Sequence, residues 1–225
     1  MDHPTIAKQS VPSAPNFDRI ARAYRWLEYL SFGRSLERCR FRFLPELSSA
    51  RQILALGDGD GRFLARLLTS NPLAKAEAVD VSGAMLHLLL KRVANVGAAA
   101  RLHISRSSVE AFEPRDVQYD LVVAHFFLDC LTDGQLESLL VRLSPFLAGN
   151  VRWVVSEFQI PARGWQRSAA RALITSLYTA FRWLTGLEVR KIPDYKTILE
   201  SQKFRRVQVE SSWRGILHAE LWQRV

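Results

Sequence analysis

Short apolar runs alternate with amphipathic segments through the middle of the chain. Five runs have the continuous apolar character of buried strands, and they lie at 53–57, 76–81, 101–105, 119–127 and 151–158. Most are followed by segments with apolar positions every three to four residues, which predict helices. Strands that alternate with helices predict a parallel sheet with crossovers on both faces. Two further apolar runs, 205–212 and 216–225, are joined by three residues and are expected to form strands that pair antiparallel.

Helical patterns flank this alternating region. An amphipathic helix is predicted over residues 17–32, and a second helix over 34–46, closed by Pro45. Residues 163–186 predict a long helix with one apolar face. Residues 1–16 are interpreted as a mobile tail, and residues 17–225 as one domain, in which 17–46 and 163–186 form a lid.

Composition narrows the class of protein. The chain has 225 residues, of which 48% are hydrophobic and 24% charged, so it is not disordered or fibrous. Its two cysteines suit a reducing compartment, and the histidines and cysteines show no metal-ligand spacing. No apolar stretch reaches about 18 residues, and the first residues lack a secretory signal. The chain is therefore expected to be cytoplasmic and to bind no metal.

The net charge of +9 is concentrated in two flanking segments. Residues 17–44 hold seven basic and three acidic residues, and residues 163–206 hold ten and three. Such surfaces favour nucleic acid, anionic lipid or an acidic substrate, although a solvated basic surface explains them equally well. Peripheral contact with an anionic membrane is one interpretation of this charge.

A glycine-rich loop follows the first predicted strand. Gly57, Gly59 and Gly61 alternate with two aspartates and open a helix, an arrangement that lets a ligand approach the backbone closely. Asp80 ends the second strand about 20 residues later, where its carboxylate can accept hydrogen bonds from both ribose hydroxyls. The spacing lacks the third glycine of a G-x-G-x-x-G motif, which makes nicotinamide binding a weaker interpretation.

These motifs resemble the class I S-adenosylmethionine-dependent methyltransferases. ILALGDGDGRF is similar to their first motif and AVDVSGAML to their second. The segments FDRIARAYRWLEYLSFGRSLERCR and VVSEFQIP resemble the ubiquinone/menaquinone-biosynthesis methyltransferases. The resemblance implies an α/β, Rossmann-like, seven-stranded mixed sheet in the order 3-2-1-4-5-7-6, with strand 7 antiparallel.

The resemblance also implies a site for S-adenosyl-L-methionine. The cofactor-binding residues that it indicates are Tyr24, Gly57, Asp58, Gly59, Gly61, Asp80, Val81, Met85, Ser107, Ser108, Val109 and His125. Three positions depart from the family pattern, because Ala55 and Ser107 stand where acidic residues are usual, and Tyr24 is followed by arginine. Asp58 is the candidate replacement for the acidic residue absent at position 55.

Three side chains near the ends of strands 4 and 5 are candidates for catalysis. Asp129 and Glu157 are potential acceptors of a substrate proton, although Asp129 is favoured as a cap for the following helix. His125 is either a base facing the cofactor or a core histidine.

These expectations identify the chain as a methyltransferase acting on a small, apolar or quinone-like acceptor. A protein that binds the cofactor without catalysis and a nucleic-acid methyltransferase remain as alternatives. The second is less favoured because HFFL, rather than an N/D-P-P-Y/F motif, follows strand 4.

Overall fold

A seven-stranded mixed sheet is the centre of the structure. The computed structural model describes residues 34–160 and 193–225, together with residues 171, 172, 174–176 and 179. The strands are β1 (Gln52–Leu56), β2 (Lys75–Asp80), β3 (Leu102–Arg106), β4 (Tyr119–His125), β5 (Leu147–Phe158), β6 (Phe204–Ser212) and β7 (Leu217–Arg224). Their order is β3-β2-β1-β4-β5-β7-β6, which is the order that the resemblance implies.

The first five strands are parallel to one another, and β7 is antiparallel to both β5 and β6. In register, Leu56 pairs with Val79 and with Ala124, and His125 pairs with Ser156. This register brings the carboxyl ends of β1, β2, β4 and β5 to one edge of the sheet. Open parallel sheets bind ligands at that edge.

Helices cover both faces of the sheet. Those described are α1 (Ser35–Arg40), α2 (Arg62–Ser70), α3 (Gly83–Asn95), α4 (Asp133–Leu143) and α5 (Tyr195–Ser201). One hydrophobic cluster joins α1, α2 and α3 to the sheet, and another joins α4 and α5 to it. Alternate residues of β1 divide between the two, since Ala55 lies in the first cluster and Leu54 in the second. Burial on both faces explains why the sequence of these strands is continuously apolar.

Two predicted boundaries are wrong. The helix predicted over 34–46 ends at Arg40, and Pro45 lies inside a separate 3₁₀ turn, Leu44–Leu47. Proline has no N–H to donate and disfavours a helical residue before it, so the α-helix does not extend to this point. Strand 4 ends at His125 rather than at 127, because Phe126 adopts a φ of 54°.

Among the described residues, no helix is both long enough and apolar enough to cross a membrane. The proposed tail at 1–16, the helix at 17–32 and residues 163–170 of the proposed lid lie outside the described residues.

Candidate functional site

The loop after β1 has the conformation that its glycines predict. Gly57, Gly59 and Gly61 have φ values of 62°, 60° and 77°. A Cβ built on Gly59 would have no atom within 4 Å, so open space lies beside the backbone there. At Gly57 a Cβ would lie 2.8 Å from Cγ of Phe127, which packs against the loop. The loop thus offers backbone to a ligand at Gly59 and is closed at Gly57.

Asp58 lies inside the loop with its carboxylate turned toward α2. The Leu64 N–H donates to its Oδ2 at 3.2 Å, and its Oδ1 has no partner among the described residues. Burial raises the pKa of Asp58 to about 7, although the positive charge of Arg40 opposes the shift. Ala55, where the family pattern has an acidic residue, is fully buried in the apolar cluster beneath.

The end of β2 and the start of α3 form the second part of the site. Asp80 is half-buried, and its Oδ1 accepts a hydrogen bond from the Ser82 N–H at 2.9 Å. Ser82 in turn caps α3 by accepting from the Met85 N–H. This turn places Asp80, Val81 and Met85 together, with Met85 buried.

Residues 107–109 follow β3, and their first residue bonds to Asp80 at the end of β2. The Ser107 N–H donates to the Asp80 carbonyl at 3.1 Å, and the Ser107 hydroxyl donates to the Ser108 carbonyl. Val109 is buried, and Arg142 of α4 donates to its carbonyl. The structure therefore brings the residues predicted for the cofactor after β1, β2 and β3 to one edge. Their binding roles stay predictions.

A strained turn follows β4. Phe126, a bulky residue that rarely adopts positive φ, is held by donating its N–H to the Ser156 carbonyl at 2.7 Å. Glu157 Oε1 accepts from the Phe127 N–H at 3.1 Å and from the Leu128 N–H at 2.8 Å. Strained residues persist only where their surroundings fix them. Here the Ser156 carbonyl holds Phe126 itself, and the carboxylate of Glu157 holds the two residues that follow.

Glu157 and Asp129 place two buried carboxyl groups at this turn. Glu157 is fully buried and Asp129 is 6% exposed. Burial, and then the neighbouring charge of Asp129, raise the pKa of Glu157 well above its ordinary value. Glu157 Oε2 has no partner among the described residues.

The interpretation of Asp129 as a helix cap is wrong. Residues Leu128–Cys130 form a 3₁₀ turn, and Thr132 caps α4 through a capping box with Gln135. The intervening turn moves the start of the helix to Asp133, so the side chain of Asp129 is too early in the chain to cap it.

His125 lies on the face of the sheet that carries α2. Its Nδ1 is 2.8 Å from the Ser156 hydroxyl, and its ring meets the edge of Phe63 at 4.4 Å between centroids. Burial, and then the charge of Arg40, lower its pKa well below the ordinary value. The ring is therefore neutral at pH 7 and packed like a core histidine, and its predicted role toward the cofactor stays untested.

Apolar side chains border the strained turn. The rings of Phe126 and Phe158 lie 5.0 Å apart, and the guanidinium of Arg40 lies over Phe126. Ile174 and Ile216 are buried against each other, with Phe158 and Ile160 packed around them. Sequence analysis missed Arg40, Phe126 and Phe127; no motif marks Arg40, whereas the aromatic pair directly after β4 was a usable signal.

Two predicted elements of the site have no structural description. Tyr24 lies outside the described residues, and so does most of the helix at 163–186. Among the residues that are described, no cluster of three or more His, Cys, Asp or Glu side chains could hold a metal ion.

Comparisons with known proteins find methyltransferases. A family model described as "Methyltransferase domain" matches residues 53–150. The search of curated proteins finds no match. Among solved structures, the mitomycin 7-O-methyltransferase MmcR has a TM-score of 0.67 at 16% identity, over 93% of this chain and 61% of its own.

Two further structures are similar. An O-methyltransferase family 2 protein from Planctomyces limnophilus, in complex with apigenin, has a TM-score of 0.64 at 17% identity, over 89% of this chain and 61% of its own. The N-methyltransferase NodS from Bradyrhizobium japonicum, in complex with S-adenosyl-L-homocysteine, has a TM-score of 0.57 at 16% identity, over 84% of this chain and 88% of its own.

This chain spans about 60% of the length of the first two structures. At these identities the likeness shows the fold, which is the one predicted. Residues 53–150 match the methyltransferase-domain model, and the chain has the Rossmann-like fold of the class I S-adenosylmethionine-dependent methyltransferases.

Proposed function

We propose that the chain transfers a methyl group from S-adenosyl-L-methionine to a small, apolar or quinone-like acceptor. One observation carries the proposal: the open backbone at Gly59 and the carboxylate of Asp80 lie at the carboxyl ends of adjacent parallel strands. A nucleoside ligand needs a carboxylate for its ribose and room beside the loop, and both are present.

The residues at this edge fit the parts of the cofactor. Asp80 is proposed to accept hydrogen bonds from the ribose hydroxyls, with Val81 beside it. Met85 and residues 107–109 would border the adenine. The loop and Asp58 would receive the methionine end, since a carboxylate attracts its ammonium group. Tyr24 would contact the cofactor from the N-terminal segment.

The cofactor supplies a methyl group already activated on a sulfonium, so the protein must mainly align the acceptor and exclude water. A hydroxyl or carbon acceptor loses a proton as the new bond to carbon forms. Asp129 and Glu157 are the proposed proton acceptors at the end of β4 and β5, with His125 as the third candidate. Glu157 also orients the turn after β4, because the backbone N–H groups of Phe127 and Leu128 donate to its carboxylate.

An apolar acceptor suits the side chains beside the turn after β4. Phe126 and Phe158 pack 5.0 Å apart there, and Phe158 also packs with Ile160 and Ile216. The resemblance of the segments 17–40 and 154–161 to quinone-modifying methyltransferases favours the same class. Burial of apolar acceptor surface would provide the binding free energy, and a hydroxyl group would provide orientation.

The domain organisation is proposed as predicted, with residues 17–225 forming one domain and the segments at 17–46 and 163–186 serving as its lid. The basic excess in these segments supports peripheral contact with anionic lipid, from which an apolar acceptor could be delivered. Co-sedimentation with phosphatidylglycerol vesicles tests this contact. Binding at low salt that is lost at high salt supports it, and no binding at low salt overturns it.

Calorimetric titration tests the cofactor assignment. S-adenosyl-L-homocysteine is expected to bind with micromolar affinity and to raise Tm, whereas NAD should do neither. At 100 times the Kd, the stabilisation should be about 2.7 kcal/mol. No heat and no change in Tm at millimolar ligand would remove the assignment.

Transfer of a radioactive methyl group separates the proposed function from its alternatives. A hydroquinone, a phenol, an amine and total RNA should be compared with the same protein sample. Labelling of the hydroquinone or phenol supports the proposal. Labelling of RNA alone supports a nucleic-acid methyltransferase, and tight cofactor binding with no labelled acceptor favours a non-catalytic protein.

A further inference from the structure

One loop residue that the proposed function does not use is held by two arginines. Asp60 Oδ1 accepts from Arg62 Nε at 2.9 Å, and its Oδ2 accepts from Arg92 Nη2 at 2.8 Å. Arg92 Nε also donates to the Asp60 carbonyl at 2.9 Å. The side chains of Asp60 and Arg62 are 10% and 14% exposed, whereas that of Arg92 is 37% exposed, so the second ion pair is only partly shielded from water.

We propose that Arg92 is a positioning residue that fixes the 59–61 segment in the conformation that receives the methionine end of the cofactor. This inference rests on the proposed function. Arg92 lies in the last turn of α3, 32 residues after Asp60, and bonds both the side chain and the backbone of that residue. A single side chain therefore ties the middle of the loop to a packed helix.

The loop needs such a contact because its own backbone is permissive. Gly59 and Gly61 flank Asp60, and glycine loses more conformational freedom on ordering than any other residue. Gly61 caps α2 without a side-chain hydrogen bond. A loop that is ordered before binding does not add its ordering cost to the binding free energy. Arg92 would thus contribute to affinity without touching the cofactor.

A purely structural role makes a different prediction, and the chain offers a matched control. Arg101 also bonds backbone carbonyls across the helical layer, donating to Leu68 at 2.8 Å, Asn71 at 3.0 Å and Ala74 at 2.9 Å. Those carbonyls lie at the far end of α2, away from the loop. Loss of Arg101 should lower stability without affecting the cofactor site.

The experiment compares Arg92→Gln, Arg92→Lys and Arg101→Gln in the full chain. Three quantities are measured: the Kd for S-adenosyl-L-homocysteine, hydrogen exchange of peptides spanning 57–61 without ligand, and Tm. Arg92→Gln should weaken binding about tenfold, since it removes an ion pair and a backbone hydrogen bond. It should also speed exchange in the loop, and Arg92→Lys should restore part of both.

Arg101→Gln should lower Tm while leaving Kd and loop exchange as in the parent. The proposal is overturned if Arg92→Gln behaves in the same way, with lower Tm and unchanged affinity and exchange. If the parent does not bind S-adenosyl-L-homocysteine, the proposed function fails. Hydrogen exchange of the unliganded loop then still decides whether Arg92 orders it: faster exchange in Arg92→Gln alone supports ordering, and unchanged exchange overturns it.

Discussion

The two halves of the sheet's carboxyl edge are built by different means. The β1–β3 half consists of the loop 57–61, Asp80 and residues 107–109, and its proposed ligand groups are largely backbone, with the carboxylates of Asp58 and Asp80. The β4–β5 half consists of residues 126–129, Glu157 and Phe158, which contribute buried and half-buried side chains rather than glycine backbone. Glycine provides positive φ at no steric cost in the first half. In the second, Phe126 adopts positive φ and is held by hydrogen bonds.

This difference follows from what each half is proposed to bind. A nucleoside is recognised by backbone approach and ribose hydrogen bonds, which glycine and one acid provide. An apolar acceptor needs a shaped, water-poor surface and a group to take its proton. Charged groups buried in such a surface have shifted pKa values, as Glu157 does. Both halves nevertheless contain a buried carboxyl group, because Asp58 is also buried, with 8% of its surface exposed.

The largest expected effect concerns Asp58. Its folded pKa of about 7 exceeds the ordinary 3.8, so the folded state binds this proton more tightly than the unfolded state. The resulting stability is present below about pH 4 and is lost as the pH rises through 7. This amounts to roughly 4 kcal/mol. Asp58→Asn should match the parent near pH 4 and be more stable at pH 8, as measured by urea unfolding.

Two buried groups of the β4–β5 half also contribute to the pH dependence of stability. The raised pKa of Glu157 gives a change of the same sign, so Glu157→Gln should also flatten the fall in stability with rising pH. The lowered pKa of His125 acts oppositely, since its contribution is lost as pH falls below about 6.5. An Asp58→Asn curve parallel to the parent's would show that this carboxyl group is hydrated.

Gly57→Ala tests whether the two halves are independent. Gly57 has φ 62°, and the added Cβ would overlap the ring of Phe127 from the other half. Strain and overlap together should cost about 2–4 kcal/mol of unfolding free energy. Gly59→Ala has the same backbone strain but open space, so it should cost only about 1 kcal/mol. Equal losses in the two variants would show that Phe127 moves aside freely.

The comparison also explains what the sequence could predict. The positions of the loop and of Asp80 could be predicted from local spacing, because glycines and an acidic residue at strand ends form motifs of only a few residues. The alternating pattern predicts a parallel sheet, whereas the strand order follows from the resemblance alone. The contact of Phe127 with Gly57 joins residues 70 apart, and Arg40 meets Phe126 across 86. Only the packed fold determines such pairs, so no local pattern indicates them.

Asp80→Ala should separate binding from stability. The proposed loss of a charged acceptor for two hydroxyls corresponds to about 1.5–3 kcal/mol of binding free energy. The Ser82 N–H would lose its acceptor as well, so a small decrease in Tm is expected. Calorimetry with S-adenosyl-L-homocysteine gives the first quantity and thermal unfolding the second. Asp80→Asn, which keeps an acceptor for Ser82, should bind with intermediate affinity; unchanged affinity in both variants would make Asp80 structural.

The smallest expected effect comes from relieving backbone strain at Lys203, away from the carboxyl edge of the sheet, and it is compared with the same change at Phe126, which lies at that edge. Lys203 is exposed, has φ 63° and follows the end of α5, a position that favours glycine. Lys203→Gly should therefore stabilise the protein by about 1 kcal/mol. Phe126→Gly relieves the same kind of strain but removes a ring packed 5.0 Å from Phe158, so it should give no net stabilisation. Urea unfolding of both variants measures the contrast. If Phe126→Gly were stabilising to the same degree, the ring would contribute nothing to packing, and the β4–β5 half would not depend on it.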